Sequence, residues 1–104
     1  MYIAQIGPGG ETVWARIGRV TFSKSGRTAY YGDRTFSGEG QPWFREEQTG
    51  LQFVLSRARR DGMDRSEGRK RGSFPAEIDD DVREEYWARI REEPQRSHER
   101  IVRS

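Results

Sequence analysis

Two close turn signals, Ser25-Gly26 and Gly32-Asp33, fall within the stretch Ile17 to Phe36, IGRVTFSKSGRTAYYGDRTF, and the runs between them are rich in Val, Thr, Phe and Tyr. That combination reads as an antiparallel meander. Placing Ser25-Gly26 at the first reversal pairs Lys24 with Arg27, Ser23 with Thr28, Phe22 with Ala29, Thr21 with Tyr30 and Val20 with Tyr31. Strand side chains alternate in direction, so Val20, Phe22, Ala29 and Tyr31 share one face and Arg19, Thr21, Ser23, Thr28 and Tyr30 the other. Closing the second reversal at Gly32-Asp33 sets Thr35 beside Tyr30 and Phe36 beside Ala29 without a change of register. The apolar face is the expected core, turned toward a C-terminal helix.

The flanks extend this sheet. Tyr2, Ala4 and Ile6 lie on one face of a short first strand, broken by Gly7-Pro8-Gly9-Gly10, and Thr12 to Arg16 resumes as strand. Residues 1–16 are expected to form an N-terminal extension to a single domain over 17–93. Ser37 to Pro42 reads as a loop. Trp43-Phe44-Arg45 and Leu51 to Ser56 then flank the turn Glu46 to Gly50, where Gly50 can adopt a left-handed conformation. Leu51, Phe53 and Leu55 alternate with Gln52, Val54 and Ser56, a half-buried strand. Phe74 to Ile78 is expected as an edge segment because of Pro75. The expected fold is β-rich α+β, five or six strands forming a small barrel or bent sheet with one C-terminal helix packed on it.

That helix is expected over Asp80 to Glu92. Asp79, Asp80 and Asp81 are N-cap candidates, Glu84 stands in capping-box position after Asp81, and Val82, Tyr86 and Ile90 form an apolar stripe that Trp87 widens. Pro94 ends it, and residues 94–104 read as a polar, disordered tail. One domain is what 104 residues can support. With 35% charged residues and a mean hydropathy of −1.05, the chain sits toward the polar limit of what folds. No apolar run is long enough for a membrane helix, and Met1 to Gly10 lacks the layout of a secretory signal, so a cytoplasmic location and no membrane partner are expected. Cysteine is absent, which excludes disulfides, thiolate zinc sites and a cysteine nucleophile.

Four motifs carry a resemblance. VTFSKSGRTAYY (20–31), Glu47-Gln48-Thr49-Gly50, Asp61-Gly62-Met63-Asp64 and EIDDDVREEYW (77–87) together resemble a family of small uncharacterised bacterial proteins, some of which carry the name 1-deoxy-D-xylulose-5-phosphate synthase. The enzyme of that name is several times longer and uses thiamine diphosphate, and nothing in this chain resembles that site. The resemblance implies a bacterial source, and no cofactor is expected because the chain carries no such site. It covers most of 17–87, and the chain departs from it over 1–16 and 65–73.

Charge is uneven along the chain. Met1 to Arg60 holds nine basic and five acidic residues, Arg57 to Arg71 seven and three, and Glu77 to Glu93 three and eight. Arg19 and Tyr30 project from the open face of the meander, Lys24 and Arg27 flank its tip, and Arg57, Arg59, Arg60, Arg69, Lys70 and Arg71 lie in a basic loop. Cations that track phosphates beside an aromatic that stacks on a base suit single-stranded nucleic acid or a nucleoprotein. The alternative is a protein-binding module that uses the acidic helix or an exposed strand edge. Catalysis has no support. His98, the lone histidine, falls in the expected tail between Ser97 and Glu99, where a general base would lack fixed geometry. Asp61, Asp64 and Asp79 to Asp81 lack the spacing of a calcium loop, so no metal is expected. Gly7-Pro8-Gly9-Gly10 lacks the lysine and following helix of a phosphate loop.

Overall fold

Tyr2–Ile6 (β1) is apolar at four of its five positions, the pattern of a strand buried on both faces. In the computed structural model, which describes residues 1–58 and 75–102, β1 lies between two antiparallel neighbours, β2 (Thr12–Ile17) and β7 (Gln52–Ser56). The expectation of an N-terminal extension is thereby corrected. Ile3 and Ala4, on opposite faces, are both fully buried, so β1 is integral to the sheet.

The remaining strands are β3 (Thr21–Phe22), β4 (Thr28–Tyr31), β5 (Arg34–Gly38), β6 (Trp43–Glu46), β8 (Ala76–Ile78) and β9 (Ile101–Val102). Among the described residues they join one sheet in the order β3-β4-β5-β6-β7-β1-β2-β8-β9, with only the β2–β8 pair parallel. Nine strands among the described residues replace the expected five or six because β3, β8 and β9 have just two or three residues. Nor is β8 an edge: it lies between β2 and β9. The sheet curls into an open half-barrel, which brings β4 and β5 across to β2 although they are distant in strand order.

The meander pairs as its turns dictate. Phe22 opposes Ala29, Thr21 opposes Tyr30, Ala29 opposes Phe36 and Tyr30 opposes Thr35. Gly32 takes a positive φ of 59° at the first turn position, as a type II′ hairpin requires. Its apolar face looks inward, into the curl, where Ile3, Ala29, Phe36, Phe44, Phe53 and Leu55 form one core. The expectation that this face meets the helix is therefore corrected. Val20 is only partly buried against this core, and Phe22, on a two-residue edge strand, remains 40% exposed.

The helix covers the outer face instead. Tyr2, Ala4, Ile6, Ala15, Ile17 and Val54 pack with Val82, Tyr86 and Trp87 in a second core. β7 thus has buried residues on both faces, Phe53 and Leu55 inward and Val54 outward, and is not half-buried as alternation suggested.

The helical segment is shorter than expected. An α-turn at Arg83–Glu85 runs directly into a π-turn at Tyr86–Ile90, and we treat the two as α1. No side chain caps it: Val82 occupies the N-cap position, while Asp79 is engaged elsewhere and Asp80 pairs with Arg83 at 2.6 Å. The wide turn closes with the Arg91 amide donating to the Tyr86 carbonyl at 3.0 Å, and the consecutive Tyr86 and Trp87 are both fully buried. Glu92, at φ 57°, turns the chain out of α1.

Beyond α1 the chain is folded through Val102, which corrects the expectation of a polar, disordered tail over its described residues. Pro94–Arg96 forms a 3-10 turn, and the Trp87 indole N–H donates to the Glu99 carbonyl at 2.8 Å. The Arg96 guanidinium lies 4.3 Å from the Trp87 ring centre and grips Glu99 through two bonds of 2.8 and 2.9 Å. Strand β9 then pairs with β8 and buries Val102. Apolar anchors at Ile101 and Val102 were too few to register as a strand pattern.

Candidate functional site

The β3–β4 hairpin presents its outer face to solvent. Tyr30 stands there, 44% exposed, between Thr21 and Thr35 on the neighbouring strands. Its tip is set by the Ser23 amide donating to the Thr28 carbonyl and by Gly26 at φ 75°, and Lys24 and Arg27 flank the tip. Both cations are exposed, and neither forms an ion pair among the described residues. Lys24, Arg27 and Tyr30 therefore belong to one hairpin.

The other candidates divide. Arg19 is bound to α1 through Glu85 at 2.8 Å, which offsets its charge. Arg57 is exposed just beyond β7. Arg59, Arg60, Arg69, Lys70 and Arg71, with Asp61 and Asp64, lie outside the described residues. His98 is exposed next to the segment that braces Trp87. Among the described residues no three or more His, Cys, Asp or Glu side chains are grouped to hold a metal. No helix among them is long and apolar enough to cross a membrane.

Two polar clusters were not foreseen in the sequence. The first clasps the two ends of the curl. The Tyr31 hydroxyl donates to Asp79 Oδ2, and Arg16 Nε donates to Asp79 Oδ1 at 2.5 Å, with Glu77 3.5 Å from the same guanidinium. Burial, and then the bond to Asp79, pushes the Tyr31 hydroxyl well above its ordinary range. The bond to Asp79 likewise raises Arg16. Gly18 makes room for the clasp, since a Cβ there would come within 2.6 Å of both Asp79 Oδ2 and Tyr31 Cε1. Asp79 belongs to a triple-Asp run that reads as capping, which hid its partner on a strand 63 residues away in sequence.

The second cluster lies at the mouth of the half-barrel. Arg34 sits over the Trp14 ring at 5.3 Å and the Phe53 ring at 5.8 Å, and its Nε is 3.8 Å from Glu46 Oε2. Glu46 is inward-facing because it lies two residues beyond Phe44 on β6, opposite Phe36. That alternation was the available sequence signal. The glycine loop beside this mouth opens on a cavity of about 820 Å³, where Arg45 is already bound to Glu39 at 3.0 Å and to the Gly50 carbonyl at 2.7 Å.

No protein-family model matches the chain, and no curated protein and no solved structure is significantly similar to it.

Proposed function

We propose that this chain is a small non-catalytic module that binds single-stranded nucleic acid, or a nucleoprotein through its nucleic acid, along the outer face of the β3–β4 hairpin. The observation that supports this reading is the company Tyr30 keeps: a solvent-facing ring on the hairpin whose tip carries Lys24 and Arg27 without carboxylate partners among the described residues. Arg16, Arg19, Arg34, Arg45, Arg83, Arg91 and Arg96 are by contrast each paired with an acid. An unpaired cation gains most from a phosphate because no internal pair has to be broken first, and an aromatic face stacks on any base.

Fluorescence anisotropy with a labelled oligothymidylate and an RNA of equal length tests this. Tyr30→Ala should weaken binding by roughly 5- to 100-fold, the range of one lost base stack of about 1–3 kcal/mol. Lys24→Glu with Arg27→Glu should weaken it further and flatten its salt dependence, by about 0.7 in log–log slope per lost contact. Wild-type affinity in both variants would refute the reading. The alternative, a protein-binding module, draws on the open β9 edge, where Ile101 is 41% exposed. Binding there would depend little on salt and would be indifferent to Tyr30.

A further inference from the structure

Glu46 is the one buried charged side chain among the described residues, 5% exposed. Its Oε1 accepts the Thr49 hydroxyl at 2.8 Å, which ties it to the β6–β7 turn. Among the described residues its Oε2 faces only the Arg34 Nε at 3.8 Å, an ion pair too long for a hydrogen bond. Stacking over Trp14 and Phe53 holds that guanidinium where it is. A carboxylate offers about four acceptor positions, and removing it from water costs several kcal/mol unless donors compensate. Glu46 Oε2 makes no hydrogen bond among the described residues, yet it is not sealed from solvent, so it stays open to a donor that enters the adjoining cavity.

It borders a cavity of about 340 Å³, lined also by Gln5, Asp33, Gln48 and Leu51. That volume is within the range of small-ligand sites, about 300–1,000 Å³. Asp33 and Glu46 outnumber Arg34 there, leaving one net negative charge. Leu51, 41% exposed, adds an apolar wall. An anion would meet two carboxylates for a single guanidinium already engaged.

We propose that this mouth pocket takes an organic monocation, a guanidinium or primary ammonium head on a short alkyl stem. The head donates to Glu46 Oε2 and the stem lies along Leu51. Such a head can belong to a free small molecule or to an arginine or lysine side chain of another polypeptide, and the chemistry of recognition is the same. This inference does not depend on the hairpin surface, and charge reversal at Lys24 and Arg27 leaves it untouched.

The test is a titration followed by ¹H–¹⁵N NMR, with methylguanidinium, ethylammonium, tetramethylammonium and the peptide Gly-Gly-Arg-Gly-Gly as probes. Saturable shifts at Gln5, Arg34, Thr49 and Leu51 with the donor-bearing probes are expected, and weaker ones with tetramethylammonium, which has no N–H. Glu46→Gln keeps the acceptor for Thr49 and the shape of the side chain while removing the charge. It should weaken binding by at least about tenfold, the loss of one charge-assisted hydrogen bond. Should that variant alter the whole spectrum, Asp33→Asn on the exposed rim replaces it and should still weaken binding measurably. A peptide that binds more tightly than methylguanidinium indicates a side-chain ligand, and equal affinity a small molecule. Absence of saturable shifts at about 50 mM probe, undiminished binding in Glu46→Gln, or equal binding of tetramethylammonium would overturn the proposal.

Discussion

Replacing Gly18 by alanine puts opposing effects on one atom. Where backbone geometry permits, Gly→Ala ordinarily stabilises a protein by about 0.4–1 kcal/mol, because the unfolded chain loses freedom. Gly18 lacks the positive φ of Gly26 or Gly32, so that gain should apply to it. Its Cβ, however, would stand 2.6 Å from Asp79 Oδ2 and from Tyr31 Cε1. Relieving the contact moves the phenol off the carboxylate and opens the clasp. Overpacking costs about 1–3 kcal/mol, and a hydrogen bond to a charged group contributes about 1.5–3 kcal/mol, of which we retain roughly half because the pair is partly exposed. After the entropic gain is subtracted, Gly18→Ala should lose about 2 kcal/mol. Urea unfolding should show this as a lower midpoint at unchanged slope, with a melting temperature roughly 10 °C lower. Tyr31→Phe alone should lose about 1 kcal/mol, and the double variant less than the sum, since both act on one bond. Wild-type or higher stability in Gly18→Ala would refute the idea that the clasp holds the curl closed.

Three further outcomes test the architecture. Phe36→Ala should cost about 3–5 kcal/mol and Phe22→Ala under about 1 kcal/mol in chemical denaturation, because only Phe36 is fully buried, and equal losses would contradict the inward-facing core. Truncation after Glu93 should lower stability by about 3 kcal/mol or more and red-shift tryptophan fluorescence, since it removes Val102 and the acceptor of the Trp87 indole; a shift of neither kind would mean the C-terminal segment contributes nothing to the fold. Tyr31 is neutral in the fold and its hydroxyl is pushed upward, so stability should be constant below its ordinary pKa near 10 and fall as pH rises beyond it, when only the unfolded chain ionises; Tyr31→Phe should flatten that decline, and an unchanged alkaline limb would exclude the clasp as its cause.

The local pairings could be read from sequence where turn chemistry and alternation speak together. Gly26 and Gly32 fixed where the chain reverses, and the register of Phe22, Ala29 and Phe36 followed. Which side of the meander meets which element could not be read, because β1 and β7 carry apolar residues facing both ways and so serve two cores. Val82, Tyr86, Trp87 and Ile90 were legible as a covering stripe; the sheet face they cover was not. Asp79 illustrates the remaining gap. In sequence it is one of three equivalent carboxylates, and only the curl of the sheet brings it to Arg16 and Tyr31. Lys24, Arg27 and Tyr30 were legible as neighbours because a single hairpin holds them. Glu46 and Arg34 were not, since no tight turn announced the register of β5 on β6, and Arg34 reaches Trp14 on β2 only through the curl.

The place of β1 between β2 and β7 has a consequence for how the chain reaches this form. Tyr2 is matched with Ser56 and Ile6 with Gln52, partners some fifty positions downstream. During synthesis β1 can pair with β2 as soon as both have emerged, yet its second edge stays open until residue 56 has left the ribosome. Bringing such distant segments together is slow relative to closing a hairpin. The β1–β7 seam should therefore zip after the hairpins on either side of it, and an exposed edge of Ile3, Ala4 and Ile6 is the hazard that a nascent chain carries until then.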